Sequence, residues 1–301
     1  MQQQLQHQVT SMMRAFKPNA RSIRGTGGAP LTKEQILRVA PSIFTGSQNG
    51  NVSGRYRSIP TWAILEQLAE QGFYPYEVAQ SQSRDEDKLR FGKHRVRLRH
   101  ESSSPAKNGT CQEIILINSH DGTTSYRMMG GQFRFICSNG MVVSEGVLPS
   151  VRVKHAGNAA AGVIEGCRQI LRGMPRVGES IRSMEALTLS PEEQVDFAQA
   201  ALQARYGDAV PPVTAEQILK PRRVEDVGAD LWRTMNRVQE ALIRGGIAYV
   251  QRKVATQISG TRGVGNRLLR NKTRAVNGIG QNIHLNQTIW NLAENLVALR
   301  A

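Results

Sequence analysis

The 301-residue sequence predicts an α+β fold: an antiparallel β-sheet core flanked by helices, followed by a mostly helical C-terminal region. Three observations predict it. Helix start signals open the chain near residue 32 and recur after residue 158. Between about residues 74 and 155 the pattern changes to one of strands. Those strands are separated by Asp121-Gly122, Gly130-Gly131 and Asn139-Gly140. Asp-Gly and Asn-Gly accept the positive φ angles of tight hairpin turns, so neighbouring strands pair antiparallel.

Residues 1–30 are Gln-rich, then basic, then Gly-rich, and read as a mobile arm carrying Arg14, Lys17, Arg21 and Arg24 with no acid. Thr32-Lys33-Glu34-Gln35 is a capping box, in which a hydroxyl and an amide satisfy exposed helix N–H groups. The short helix it opens stops before Pro41. In IPTWAILEQLAEQG, Pro60 sits near the first turn and Trp62, Leu65, Leu68 and Ala69 share a face. Gly72 suits the stop.

The expected strands are Tyr74–Ser81, Lys93–His100, Glu113–Asn118, Thr123–Met129, Gln132–Ser138 and Met141–Ser144. A helix follows from near Asn158 to Gly173, two residues before Pro175. Ser190-Pro191-Glu192-Glu193 joins an N-cap Ser, an N1 Pro and an N3 Glu, and the helix it opens stops near Gly207. Another capping box spans Thr214 to Gln217. Two longer helices are expected over Glu225–Arg244 and Asn282–Leu299. The expected division is a flexible basic arm over 1–30, an α+β core over 31–174 and a helical region over 175–301 that includes the basic segment 244–274.

Charge sets this chain apart. Lys and Arg number 39 against 24 Asp and Glu, leaving +15 and a pI near 10.4. A surplus of that size favours a polyanionic partner, because each neutralised phosphate releases condensed counterions. The alternative is a basic surface kept for solubility or loose membrane contact. Cys111, Cys137 and Cys167 are too few and too far apart for a disulfide framework or a metal knuckle. The first 21 residues lack the apolar stretch of a secretory signal, and no run approaches eighteen apolar residues. The expectation is a cytoplasmic protein with no membrane span.

The strand Lys93–His100 is the leading candidate for a binding surface. Side chains alternate across a strand, so Lys93, Arg95, Arg97 and Arg99 project to one side. Four like charges at this spacing repel unless an anion lies over them. A phosphate backbone fits that description; charge protecting an edge strand is the plainer alternative. Arg127 and Arg134 join the candidates from adjoining strands. A second candidate is residues 241–293, which hold Arg244, Arg252, Lys253, Arg262, Arg267, Arg270, Lys272 and Arg274 and no acidic residue. Glycines at 260, 263 and 265 break its centre, so TRGVGNRLLRNKTR at 261–274 reads as loop-like, and a basic, Gly-broken segment can order on a polyanion.

Catalytic signals are thin. There is no GxxxxGKS/T phosphate loop, and Gly278-Ile279-Gly280 lacks both the third glycine and the preceding strand of a dinucleotide site. His120-Asp121 sits at an expected hairpin turn, where Asp, Asn and Ser bond to local backbone. Asp85-Glu86-Asp87 reads as a solvated loop. No cofactor, metal site or catalytic residue is expected.

Several blocks carry a family resemblance. They are PSIFTG from Pro41, SIPT at 58–61, SQSRD at 81–85, EIILINSHDGTTSYRMM at 113–129 and FRFICSNGMVV at 133–143. EDVGADLWRTMNRVQEALIRGG at 225–246 and LNQTIWNLAENL at 285–296 complete the set. With these, the chain resembles the phage- and plasmid-borne proteins grouped as domain of unknown function 932, over nearly all of its length past residue 35. That implies a mobile-element origin and names no activity. In layout the chain is also similar to the core of single-strand annealing proteins, with a helix, an antiparallel run bearing a basic strand, then a long helix. This likeness implies a basic groove for one DNA strand, and subunits assembled as rings or filaments.

The functional expectation is therefore a non-enzymatic protein that binds or anneals single-stranded DNA in phage or plasmid recombination, as a homo-oligomer. The alternatives are a protein-binding factor acting on host defence, and a metal-dependent nuclease using His120 and Asp121.

Overall fold

The computed structural model describes residues 22–25, 28–45, 59–85, 89–103, 109–135, 139–253 and 267–300, the side chains at 139, 252, 253, 267 and 268 excepted. Residues 1–21, 26 and 27 of the expected arm over 1–30 lie outside them. Contacts divide the chain into two compact units, Met1–Gly178 with Gly278–Ile283, and Glu179–Asn277 with His284–Ala301.

The first unit is built on an antiparallel sheet. Its strands are β1 (Ser22–Arg24), β2 (Phe73–Gln80), β3 (His94–His100), β4 (Thr110–Asn118), β5 (Tyr126–Arg134), β6 (Asn139–Val142) and β7 (Val151–Val153). They lie in the order β1-β2-β3-β4-β5-β6, with β7 also paired to β5. Helix α1 (Lys33–Val39) starts on the Thr32–Gln35 capping box, with both reciprocal bonds made. A 3-10 turn follows at Pro41–Phe44. Helix α2 (Thr61–Ala69) buries Thr61, Ile64, Leu65 and Leu68, and Gly72 at φ +78° ends it.

Four expectations need correction here. Ser22–Arg24, placed in the mobile arm, is a strand whose Ile23 pairs with Val78. Gly130-Gly131 is not a turn: it lies within the unbroken β5. A Cβ at 130 would meet Leu148 Cδ2 at 2.8 Å, and one at 131 would meet Ile115 Cδ1 at 3.0 Å. Close packing, not a positive φ, asks for glycine at both positions. Asn139-Gly140 likewise opens β6 rather than forming the turn. Finally, the helix expected to stop at Gly173 is α3 (Ala159–Ala186), which runs on through Pro175. Gly173 makes room for Leu148, whose Cδ1 would be 2.3 Å from a Cβ there.

Helix α3 packs on one face of the sheet, its Gly162 against Val153 and its Gly166 against Met128 and Val151. On the opposite face Ile115, Ile117, Met129 and Val142 meet Ile279 and Ile283, the first turns of α7 (Ile279–Arg300).

The second unit contains α4 (Pro191–Tyr206) and α5 (Ala215–Leu219), each opened by its expected capping box, and α6 (Leu231–Arg244). The helix expected from Glu225 begins only at Leu231, because Gly228 at φ +156° interrupts the run and Asp230 takes the N-cap. Every residue of α6 except Arg233 and Arg244 is buried, and Trp232 meets Trp290 edge to face at 6.0 Å. After Gly245 the chain forms a two-stranded ribbon of β8 (Ala248–Lys253) and β9 (Arg267–Lys272). Strand β9 falls in the stretch at 261–274 expected to be loop-like.

Candidate nucleic-acid interface

Strand β3 does not present a free row of cations. Side-chain alternation does put Arg95, Arg97 and Arg99 on one face, but that face is covered by the molecule's own carboxylates. Glu77, the single acid of β2, stands across from Arg97 in the sheet. Its carboxylate accepts from Arg95 Nη2 at 2.5 Å and from Arg24 of β1. Glu113, the single acid of β4, accepts from Arg97 Nη1 at 2.8 Å and from Arg99 Nε at 3.0 Å. Arg97 is 1% exposed, and its other nitrogen donates to the Gly140 carbonyl at 2.9 Å. The Arg99 guanidinium lies 4.4 Å from the Tyr76 ring, 4.5 Å from Phe133 and 5.1 Å from Phe135. Burial pulls the Glu77 carboxyl upward, yet Arg95, Arg97 and Arg24 overcome it and hold the group down at about 2.

The anion that relieves this like-charge row is thus internal. Arg95, Arg97 and Arg99 are withdrawn from the expected interface. Arg134 is also buried, at 5% exposed, and Arg127 is tied to Glu145 and Ser150. Lys93, half-buried at the head of the strand, lends its carbonyl to Ser81.

In the second candidate region, one face of the β8–β9 ribbon is exposed at its described side chains. The β8–β9 register sets Ala248 opposite Lys272, Val250 opposite Arg270, Arg252 opposite Leu268 and Lys253 opposite Arg267. Cross-strand partners share a face. On the face of Ala248 and Val250, the Val250, Arg270 and Lys272 side chains are exposed, Val250 at 60%. Tyr249, Leu269 and Asn271, on the reverse, are half-buried. Arg274, just past the ribbon, is exposed too; Arg262 lies outside the described residues.

His120 and Asp121 do not converge on a common site. Asp121 Oδ1 accepts from Ser119 Oγ at 2.6 Å, from the Thr123 hydroxyl at 2.7 Å and from the Thr123 amide at 3.0 Å. Burial opposes those bonds, which prevail and hold the carboxyl below its ordinary range. His120 is fully buried in a cluster the sequence did not announce. Its ring centroid lies 5.5 Å from that of His94 and 6.1 Å from that of His155. The Thr61 hydroxyl lies 2.9 Å from His94 Nε2 and 3.4 Å from His120 Nε2. Burial first, then the neighbouring imidazoles, push His120 down to about 2, and burial pushes His94 down to about 3. Only alternation hinted at this: His94 shares the Val96 and Leu98 face of β3. Among the described residues, no group of three or more His, Cys, Asp or Glu side chains is arranged to hold a metal ion. No helix among them is long and apolar enough to cross a membrane.

Comparison with known proteins places the chain in a family without a described activity. Its residues 49–290 match the model of a domain of unknown function, DUF932. UPF0380 protein YfjQ of Escherichia coli strain K12 is 42% identical over 268 residues, which is 89% of this chain and 92% of that protein. UPF0380 protein YafZ of the same organism is similar to the same extent. No solved structure matches. With four-fifths of its length under the family model and two near full-length relatives, this chain belongs to the DUF932 family.

Proposed function

We propose that the chain binds nucleic acid through the β8–β9 ribbon, with single-stranded DNA as its preferred form. The observation that carries this reading is the exposed cationic face of Arg270 and Lys272, set in a sequence with no acidic residue from 241 to 293. The β3 arginines have carboxylates at hand; the ribbon has none in its own segment. Counterion release makes such a surface attractive to any polyphosphate. Val250, exposed across from Arg270 on the same face, offers apolar surface to unstacked bases, which a duplex hides within its stack. Contact of this kind needs no covalent chemistry. A role in phage or plasmid recombination, and assembly as a ring or filament, accompany the reading through the likeness to single-strand annealing proteins.

The test is a titration of single-stranded DNA, duplex DNA and RNA at about 50 and about 200 mM salt, with particle mass followed alongside. Single-stranded DNA is expected to bind tightest. Replacing Arg270 and Lys272 together by Ala is expected to flatten the log–log salt slope by about 0.7 for each lost phosphate contact. Absence of binding at the lower salt, or an unchanged slope in the double variant, overturns the assignment.

A further inference from the structure

We infer that His94, Thr61 and His120 form a proton-operated latch, which fastens the Pro41–Phe44 turn and α2 to the sheet while both imidazoles are neutral and releases them on acidification. The inference is independent of the ribbon and rests on the hydrogen-bonding capacity of one hydroxyl.

Thr61 stands at the start of α2 and is fully buried. A hydroxyl has one proton to give and two lone pairs to receive. Asn118 Nδ2 donates to Thr61 Oγ1 at 3.0 Å, taking the first lone pair. That leaves one lone pair and one proton for two imidazole nitrogens. One ring must therefore donate to the oxygen, and the other must accept from it. The surroundings of His94 decide which. Its Nδ1 lies 3.3 Å from the Gly92 carbonyl, which only accepts, and 2.9 Å from Ser42 Oγ. With the proton on Nδ1, His94 Nε2 is bare and accepts the Thr61 hydroxyl. His120 then donates from Nε2, and its Nδ1 is the bare nitrogen. That nitrogen is buried and has no hydrogen-bond partner among the described residues, a state a lone pair tolerates better than an N–H does.

A further proton has no place to go. On His94 Nε2 it sets three donors against the two lone pairs of Thr61 and leaves the hydroxyl proton without an acceptor. On His120 Nδ1 it creates a buried charged donor with no partner among the described residues. The titratable or charged groups around the two rings are His155 beyond β7, Tyr126 on β5 and Asp121 in the turn after β4. Asp121 favours a charged His120, but its carboxylate is held by Ser119 and Thr123. Ser42 and Thr61, which bring the turn and α2 to the cluster, are uncharged. The same segment is tied once more where the Tyr126 hydroxyl donates to the Ile59 carbonyl at 2.8 Å.

The sign follows from linkage. Both imidazoles are held below their unfolded pKa, so the stabilisation is complete above about pH 6.5 and is lost as pH falls. Each coupled imidazole weakens closure by about tenfold per pH unit in that range.

The test is hydrogen exchange on the full chain between about pH 7 and about pH 4, corrected for intrinsic rates. Peptides covering 33–44 and 61–69 are expected to lose protection by at least about tenfold per pH unit below about pH 6, while peptides from α4 and α6 keep theirs. Protection that survives in 33–69 until the whole chain unfolds overturns the latch. His94→Gln, which keeps an amide donor and acceptor but cannot titrate, is expected to flatten the pH profile. A folded variant with the wild-type profile also overturns the latch, and if this variant fails to fold the wild-type profile decides alone.

Discussion

Strand β3 and the β8–β9 ribbon carry similar cations, and the structure treats them in opposite ways. In β3 the arginines lie inside a sheet, and each flanking strand contributes one glutamate to their face. Along the ribbon Arg270 and Lys272 face water, and the segment around them holds no acid. A row of positive side chains is therefore ambiguous until its neighbours are known. When the adjoining strands carry even one carboxylate in register, the row becomes internal structure. When they carry none, the charge stays in water.

The contrast breaks most visibly at Arg97. Its guanidinium is held by Glu113 and by the Gly140 and Met141 carbonyls. Arg97→Ala leaves Glu113 buried with Arg99 as its remaining partner. A loss of about 3–5 kcal/mol is expected in urea unfolding, since removing one partner strands a buried charge. The pair need not be a net stabiliser for this to hold: replacing all its members by apolar residues of similar volume can be neutral. A loss below about 1 kcal/mol would return β3 to the list of solvent-facing surfaces.

How much of this was legible depends on the range of each interaction. The capping boxes at Thr32, Ser190 and Thr214 are local, three residues from donor to acceptor, and all three form as the sequence implies. Gly130-Gly131 was misread because a glycine inside a strand is demanded by Leu148 and Ile115, which arrive from elsewhere. The fate of β3 hung on Glu77 and Glu113, each the only acid of its strand, and thus visible in the sequence. What was missing was the order β2-β3-β4 and the register that sets Glu77 opposite Arg97. The histidine cluster draws on the turn, α2, β3 and the segments after β4 and β7, and no spacing pattern encodes that convergence.

A smaller effect sharpens the same comparison at Gly140. A Cβ there would lie 2.5 Å from Arg97 Cζ. An arginine tip can ordinarily swing aside, but this one is pinned by Glu113 and fully enclosed. Gly140→Ala is expected to cost about 1–3 kcal/mol, the usual range for overpacking a filled site. The loss should largely vanish in an Arg97→Met background, where no charged tip occupies the space. Equal losses in both backgrounds would mean that glycine is needed there for the backbone of β6 and not for the guanidinium.

The ribbon should give the smallest stability change of all, and that smallness is informative. Arg270 and Lys272 are exposed, and Lys272 stands across from the small Ala248. Replacing both by Ala is expected to change the unfolding free energy by no more than about 0.5 kcal/mol, as for surface positions without a packing role. Calorimetry or urea titration would show it. A cation kept for structure reveals itself by what the fold loses without it, as at Arg97. One kept for a partner leaves the fold intact and changes only the salt dependence of binding. Should the double variant melt well below the parent, Arg270 or Lys272 is holding the ribbon together, and the surplus charge must be sought on another surface.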